Sequence, residues 1–363
     1  MIYYLYGRYK KEKQSKDPGA YIQGLKALLD GHVEAAFNKF REVVTADTDN
    51  IDAYIRIGDI LRTHRKPDKA IQVHKDLTLR HGLSSDEKTA ILKALSQDFL
   101  ATQDYRSALA ALKEILAING NNRWALERIL EVHTANEDWD TALETKEKII
   151  KLDGQKSKKG LAIYKFFQGQ KLYEKREYHK ARLLFKEAIN YDTGCVPAYL
   201  NTGDSYLAEN RLDDAISIWK KMIEAVPDEA HHVVVRLKKA LFELGKFSEI
   251  STICNEILRS SPKNLAARLT LADYHYKKGE YDLAAEHLNI ATEEHPDSYS
   301  AILDLAKLYL TMGEKNKLSE LIDNLEERRE AIEQQYHCTK CGYKSKSKLW
   351  FCPSCKSVDS FAI

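Results

Sequence analysis

The sequence is poor in the two residues that interrupt helices. Glycine occurs 16 times and proline 7 times in 363 residues, against usual frequencies of about 7% and 5%. Glycine weakens a helix interior and proline removes a backbone donor from it. Their scarcity therefore favours a helix-rich chain and excludes collagen-like or low-complexity classes.

The chain also has little net charge and no long apolar run. Its net charge is +2 at pH 7, although charged residues make up 30% of the sequence. This balance argues against a strongly basic nucleic-acid coat and against an acidic disordered tail as a description of the whole chain. No run of 18 apolar residues occurs, so the sequence as given predicts no transmembrane helix.

Residues 1–16 combine a short apolar segment with basic residues. Residues 1–7 are apolar or aromatic, and the cations that follow are Arg8, Lys10, Lys11, Lys13 and Lys16. This order is typical of the cytoplasmic end of a membrane helix, and a charged, frayed terminus would look the same. A signal peptide is not expected because the charges follow the apolar segment. We interpret residues 1–16 as a basic stub and a possible remnant of a membrane anchor.

A unit of about 34 residues repeats along most of the chain. A small or aliphatic residue marks the same point of each unit, at Ala36, Ala70, Ala108, Ala142, Ala181, Ala215, Ile250, Ala284 and Leu318. Twelve residues earlier, four units have glycine, at Gly24, Gly58, Gly169 and Gly203. Four residues later, most units have a large residue, among them Phe40, Leu112, Phe185 and Trp219. Twelve residues later, three units have proline, at Pro227, Pro262 and Pro296.

These columns resemble the tetratricopeptide repeat over about residues 17–332. The resemblance implies an all-α superhelical solenoid of about nine helical hairpins. Small residues would let the two helices of a hairpin approach closely, while the large residues fill the adjoining space. Such a solenoid offers a long binding face and not a catalytic pocket.

Few residues in the repeats suggest further chemistry. Asp59, Asp204 and Asp273 share one column and could form an acidic stripe for a basic partner, although ordinary solvated surface is the simpler interpretation. His231 and His232 are interpreted as polar surface at a helix start. His74 and Cys254 share the column of the large core residues, and no nucleophile–base or phosphate-binding motif occurs. The sequence therefore predicts a protein that is not an enzyme.

Cysteine is rare except at the C-terminus. Four of the six cysteines lie in the last 26 residues, as Cys338, Cys341, Cys352 and Cys355. Two C-x-x-C pairs can form two thiolate turns that supply a closed, tetrahedral S4 site. Disulfides are the alternative, but a helical, charge-rich chain without a signal peptide favours a reducing compartment.

Residues 333–363 are therefore predicted to be a metal-binding ribbon held by one structural metal ion. Four protein ligands leave no open position for a substrate. Zn²⁺ is favoured and Fe²⁺ or Fe³⁺ is possible, since both metals accept S4 coordination. We expect Trp350 and Phe351 to pack the ribbon onto the last helices, near residues 326–335. The lysines of the ribbon could meet anionic lipid or an acidic protein, or could serve only solubility.

The halves Cys-x-x-Cys-Gly-Tyr and Cys-Pro-x-Cys resemble rubredoxin turns, although the linker between them is much shorter than in rubredoxin. About nine repeats followed by this ribbon resemble the lipopolysaccharide assembly protein B (LapB) family over nearly the whole chain. The resemblance implies metal ligation by Cys338, Cys341, Cys352 and Cys355. It also implies a regulator at the cytoplasmic face of the inner membrane that couples the deacetylase LpxC to the protease FtsH and limits lipopolysaccharide production.

Two points stay open at this stage. Family members carry an N-terminal membrane helix that this sequence does not show, so either the start is trimmed or the protein is peripheral.

The ribbon also permits a zinc-ribbon adaptor associated with nucleic acid, or a rubredoxin-like electron carrier fused to a repeat scaffold. The near-neutral repeats make nucleic acid the weaker of these alternatives because they lack a basic stripe. The sequence does not fix the oligomeric state.

Overall fold

The computed structural model describes residues 18–327 and 336–362. Within these residues the chain forms eighteen α-helices and one small sheet, and none of the helices is both long and apolar enough to cross a membrane. Residues 1–17, 328–335 and 363 lie outside the described residues. The predicted stub and the predicted boundaries at 16/17 and 332/333 fall there, so they stay predictions.

The chain divides into two compact units. The first contains the described residues up to Asn136 together with Lys151–Gly154, and the second contains Glu137–Ile150 and the residues from Gln155 onward. The helices of the first unit are α1 (Pro18–Leu29), α2 (Val33–Ala46), α3 (Ile51–Thr63), α4 (Pro67–Thr78), α5 (Ser85–Ala101), α6 (Tyr105–Ile118) and α7 (Arg123–Ala135).

The second unit begins with α8 (Trp139–Leu152), whose C-terminal end belongs to the first unit. Its other helices are α9 (Ala162–Glu174), α10 (Tyr178–Tyr191), α11 (Val196–Ala208), α12 (Leu212–Ala225), α13 (His231–Glu243), α14 (Phe247–Ser260), α15 (Leu265–Lys277), α16 (Tyr281–Glu294), α17 (Tyr299–Met312) and α18 (Lys315–Glu327). Short 3-10 turns at Lys159–Leu161 and Pro227–Glu229 precede α9 and α13.

Within each unit, helices that follow one another in sequence pack against one another. In the first unit α1 packs on α2, α3 on α4 and α5 on α6, and each of these pairs also contacts the helix that follows it. In the second unit the same order runs from α9 to α18. This repeated hairpin arrangement confirms the predicted all-α tetratricopeptide-repeat fold.

In four hairpins a glycine of the first helix faces a large side chain of the second, namely Phe40, His74, Phe185 or Trp219. A Cβ atom on Gly24 would lie 3.0 Å from the Phe40 ring, and one on Gly169 would lie 2.7 Å from the Phe185 ring. Phe40 and Phe185 are fully buried. The two repeated columns of the sequence therefore contact each other directly, because the missing side chain makes room for the ring.

Local capping sets where several helices begin. The Asn264 side chain accepts a hydrogen bond from the Ala267 N–H, and Ser298 does the same for Ala301. Each bond satisfies one of the N–H groups that the first helical turn leaves unpaired. Pro262 and Pro296 lie just before these caps, so the preceding helix ends and the next begins within a few residues.

Replacing Gly169 by Ala should destabilise the protein by about 1–3 kcal/mol, the usual cost of adding atoms to a filled core. The new methyl group would overlap the Phe185 ring. Gly120→Ala is the matched control, because the nearest atom to its Cβ would be the Leu116 carbonyl oxygen at 3.8 Å. Urea unfolding followed by circular dichroism measures both, and equal midpoints for the two variants would contradict the packing described here.

Candidate metal centre

The C-terminal ribbon is a three-stranded antiparallel sheet with two cysteine turns. Its strands are β1 (Tyr336–Cys338), β2 (Lys344–Ser345) and β3 (Phe361–Ala362), in the order β2-β1-β3. Cys338 at the end of β1 pairs with Phe361. The apolar core of the ribbon consists of Cys338, Cys352 and Phe361, with Tyr336 and Leu349 beside them. So small a core needs a further source of stability, which bound metal supplies in domains of this size.

The two cysteine turns have the same backbone geometry. In the first, the Gly342 N–H donates to the Cys338 carbonyl at 2.8 Å, and in the second the Lys356 N–H donates to the Cys352 carbonyl at 2.9 Å. Gly342 and Lys356 both have positive φ, +73° and +59°. Glycine suits the first position, whereas the second places a lysine in a left-handed conformation, which the sequence analysis did not anticipate. A sequence signal for this geometry was available, because Gly342 and Lys356 each directly follow a C-x-x-C pair.

The turns bring the four predicted sulfur ligands together. All four Sγ atoms lie within 4.8 Å of one another, and the Cys338–Cys355 and Cys341–Cys352 separations are both 3.6 Å. Zinc–sulfur bonds of about 2.3 Å in a tetrahedron would place the sulfurs about 3.8 Å apart. A disulfide needs about 2.05 Å. The donor set and its spacing therefore fit one tetrahedrally coordinated metal ion and not two disulfides.

The surroundings of the sulfurs favour the thiolate of Cys338, and hydrogen bonds to Ser357 lower the pKa of Cys355 as well. Burial raises the pKa of Cys338, but hydrogen bonds to Ser360 and to the backbone of Lys340 and Cys341 outweigh it and lower the pKa to about 6. Burial raises the pKa of Cys352 to about 11. Cys338 can thus offer a thiolate at neutral pH, while the Cys352 thiol needs the charge of a metal to ionise. Ser360, 3.2 Å from the Cys338 sulfur, had no recognisable sequence signal.

Aromatic residues of the ribbon pack on helices of the second unit. The Phe351 ring meets the rings of Trp139 and Phe167 edge-on, with centroids 5.7 and 6.1 Å away. Trp139 and Phe167 are stacked on each other at 4.3 Å. Trp350 packs against the core formed by helices α11 to α15. Two consecutive residues just before Cys352 thus connect the metal centre to the repeats.

This packing differs from the sequence-based expectation. Trp350 and Phe351 were expected near residues 326–335, of which 328–335 lie outside the described residues. The contacts found in the described residues are with Trp139 and Phe167 for Phe351, and with the core of α11 to α15 for Trp350. The repeat periodicity could not predict where the ribbon packs. Its position depends on which apolar surface of the helices stays uncovered after the helices have packed against one another.

Two of the ribbon lysines make contacts inside the protein. The Lys348 ammonium lies 3.2 Å from a Glu229 carboxylate oxygen and 4.7 Å from the centre of the Trp350 ring. Lys356 lies 5.4 Å from the centre of the Phe351 ring. Lys348 therefore helps to hold the ribbon on the repeats, and its pairing with Glu229 reduces the positive charge that the ribbon offers to an external anion.

The column of aspartates is neutralised by cations of the chain itself. Asp59 lies 2.6 Å from Arg62, and Asp204 lies 3.0 Å from Arg236. Asp273 lies 2.6 Å from Lys238 and 2.9 Å from Lys277. The structure thus favours paired surface residues over a free acidic stripe.

The remaining candidate groups in the repeats have structural environments. His74 is fully buried, with Nδ1 2.5 Å from the Asp98 carboxylate and Nε2 3.2 Å from the Ile55 carbonyl. Burial raises the pKa of both Cys195 and Cys254 to about 12, so neither is a ready nucleophile. The interpretation of His74 and Cys254 as core residues is confirmed by their burial.

Comparison with known proteins supports both parts of the fold. Residues 168–230 and 241–301 match tetratricopeptide repeat families, and residues 336–362 match a family described as a rubredoxin metal binding domain. Lipopolysaccharide assembly protein B of Escherichia coli K12 is 20% identical over 351 residues, which cover 96% of this chain and 90% of that protein. The protein of the same name from Haemophilus influenzae is 23% identical over 378 residues, covering 96% and 89%.

A solved structure of MamA protein resembles part of the chain, with 18% identity and a TM-score of 0.31. The match covers 58% of this chain and 92% of MamA.

Replacing Cys352 and Cys355 by Ser should release the metal and loosen the ribbon while leaving the helical signal largely unchanged. The reason is that half of the sulfur ligands are lost, whereas the repeats keep their own cores. Elemental analysis and circular dichroism measure the two effects. Cys254→Ala is the control, because this buried thiol lies in α14 and outside the sulfur cluster. Full metal content in the double variant would refute the site.

Replacing Phe351 by Ala should loosen the ribbon without removing its metal. We expect a loss of about 1–2 kcal/mol, below the 3–5 kcal/mol typical of a fully buried Phe, because this ring is only partly buried. Faster proteolysis within residues 336–362 at unchanged metal content would show the effect. Tyr343→Ala is the control, since Tyr343 is exposed and its ring contact is with Phe361 inside the ribbon. Equal proteolysis of the two variants would contradict the role of the Phe351 contact.

Proposed function

On the premise that this chain is related to lipopolysaccharide assembly protein B over 96% of its length, we propose that it is a non-catalytic scaffold that regulates lipopolysaccharide synthesis. Its clients would be the deacetylase LpxC and the protease FtsH. Holding both on one chain raises the local concentration of substrate at the protease and needs no chemistry from the scaffold. The observation that carries this proposal is the combination, in that order, of tetratricopeptide repeats and a four-cysteine ribbon.

The last helices supply a surface suited to a protein client. Seven large apolar side chains are exposed between residues 276 and 322, namely Tyr276, Tyr281, Leu283, Tyr299, Leu303, Leu310 and Ile322. A cleft of about 230 Å³ lies nearby, with Leu269, Leu288 and Leu308 in its walls. Tyr276 and Tyr281 are in contact, with ring centroids 5.6 Å apart, and exposed tyrosines are common at protein-binding surfaces.

The environments of the reactive residues favour a scaffold over an enzyme. The two cysteines of the repeats have strongly raised thiol pKa values, and His74 has both ring nitrogens engaged by buried acceptors. A general base needs a free nitrogen within reach of a substrate, which His74 does not offer.

We further propose that Cys338, Cys341, Cys352 and Cys355 ligate Zn²⁺ as a structural ion. The sulfur spacing fits a closed tetrahedral site, and Cys341 and Cys355 are exposed. Zn²⁺ has no redox chemistry and is commonly held by four cysteines in closed structural sites, which suits a ribbon that serves as a structural module. Colourless protein with one zinc per ribbon supports this assignment, whereas red protein that bleaches on reduction would establish the electron-carrier alternative.

We place the protein at the cytoplasmic face of the inner membrane, as the relationship to LapB suggests. Attachment could use the basic residues 1–16 or an anchor that precedes them. Sedimentation with anionic vesicles, compared before and after removal of residues 1–16, tests the basic stub. Equal vesicle binding before and after removal of residues 1–16 would show that another part of the chain contacts the membrane.

Purified LpxC and the cytoplasmic part of FtsH should each bind the immobilised protein. Combining Tyr299→Ala with Leu310→Ala should weaken binding of at least one of them by about tenfold or more, equivalent to about 1.4 kcal/mol, because exposed apolar anchors dominate interface energy. Surface plasmon resonance measures both interactions. Leu79→Ala is the control, an equally exposed leucine in the first unit. If neither LpxC nor FtsH binds the wild-type protein, the proposed clients are wrong. If only Leu79→Ala weakens binding, the proposed surface between residues 276 and 322 is wrong.

A further inference from the structure

A second group of metal-ligating side chains lies where the 3-10 turn Pro227–Glu229 leads into α13. Glu229, His231 and His232 each offer one donor atom, and these atoms all lie within 4.8 Å of one another. In the described part of the chain, the four cysteines form the other group that meets this distance. All three side chains are partly buried, so they are positioned by the surrounding structure more than solvated surface residues would be.

The donor atoms are close together without satisfying one another. His232 Nε2 lies 3.1 Å from a Glu229 carboxylate oxygen, yet this nitrogen is enclosed from solvent and has no hydrogen-bond partner. A buried, unpaired polar atom is costly. A cation shared by the nitrogen and the carboxylate would satisfy both groups.

We propose that Glu229, His231 and His232 form a second metal site, which takes a divalent cation of the Zn²⁺ class. Two imidazoles and one carboxylate suit zinc and related borderline cations. Three protein ligands leave a coordination position for water or for a side chain of a bound protein. In this respect the second site differs from the closed sulfur site of the ribbon.

The ribbon is coupled to this site through Lys348. Its ammonium lies 3.2 Å from the Glu229 oxygen Oε1, whereas His232 faces Oε2. The His232 ring also lies 6.1 Å from the Trp350 ring. A cation bound through Oε2 would share the carboxylate with the lysine, so metal at the second site and seating of the ribbon influence each other.

Zinc titration of the full chain tests the site. The wild-type protein should hold two zinc ions per chain and the His231→Ala/His232→Ala variant one. Glu229→Gln should weaken the second ion by more than the roughly 10–100-fold that loss of an outer ligand partner costs. Elemental analysis after gel filtration gives the stoichiometry, and retention of the sulfur-bound ion shows that each variant is folded.

A matched control comes from a second histidine–glutamate pair. His275 lies 2.6 Å from Glu280 in the same unit, with the His287 ring stacked on it at 5.5 Å, but these residues do not form a three-donor group. Glu280→Gln should therefore leave the second zinc in place. Loss of this ion in Glu280→Gln to the same extent as in Glu229→Gln would show unspecific histidine binding and overturn the proposal.

Cobalt substitution separates the two sites by their ligands. In Cys352→Ser/Cys355→Ser, Co²⁺ at the second site should give weak d–d absorption with no thiolate charge-transfer band. Lys348→Met should tighten binding there, because the carboxylate no longer interacts with an ammonium. One zinc per wild-type chain at saturation, or an unchanged second ion in Glu229→Gln, would overturn the assignment.

Discussion

Where a large side chain enters the space between two packed helices, the facing helix must offer a small residue, and four of the repeats meet this constraint with a glycine. Gly24 and Gly169 supply the missing side chain, and Phe40 and Phe185 fill the space they leave. The same contact recurs at Gly58 against His74 and at Gly203 against Trp219, so four hairpins share one steric requirement. The surface then remains available for binding because the core is satisfied within and between neighbouring hairpins.

The stability of the ribbon has a different source from that of the repeats, because its few residues cannot bury enough apolar area to fold alone. Four sulfurs on two similar turns can be joined by one ion, and the two residues before Cys352 contact the repeats, as Lys348 does through Glu229. Phe351 meets Trp139 and Phe167, while Trp350 meets the core of α11 to α15. A metal ion bound by the four sulfurs would therefore be linked to the docking contacts through the backbone of three consecutive residues, Trp350, Phe351 and Cys352.

Charge in this protein mostly compensates itself. The aspartates of the shared column are paired with arginines and lysines of their own unit, and Lys348 is paired with Glu229. A near-zero net charge with local pairing leaves little long-range field to attract nucleic acid. Exposed large apolar side chains are instead most frequent between residues 276 and 322, where the proposed client surface lies.

The sequence by itself determined the elements whose cause is local. The hairpins could be predicted because the 34-residue spacing and the glycine and aromatic columns reflect contacts within about 40 residues. The two C-x-x-C pairs are equally local, so the approach of Cys338, Cys341, Cys352 and Cys355 to one another could be predicted as well. Only the tertiary structure decided where the ribbon lies and that Glu229 faces Lys348 across more than a hundred residues. Such contacts depend on which surfaces remain uncovered after the helices pack, and a single sequence carries no periodic signal for that.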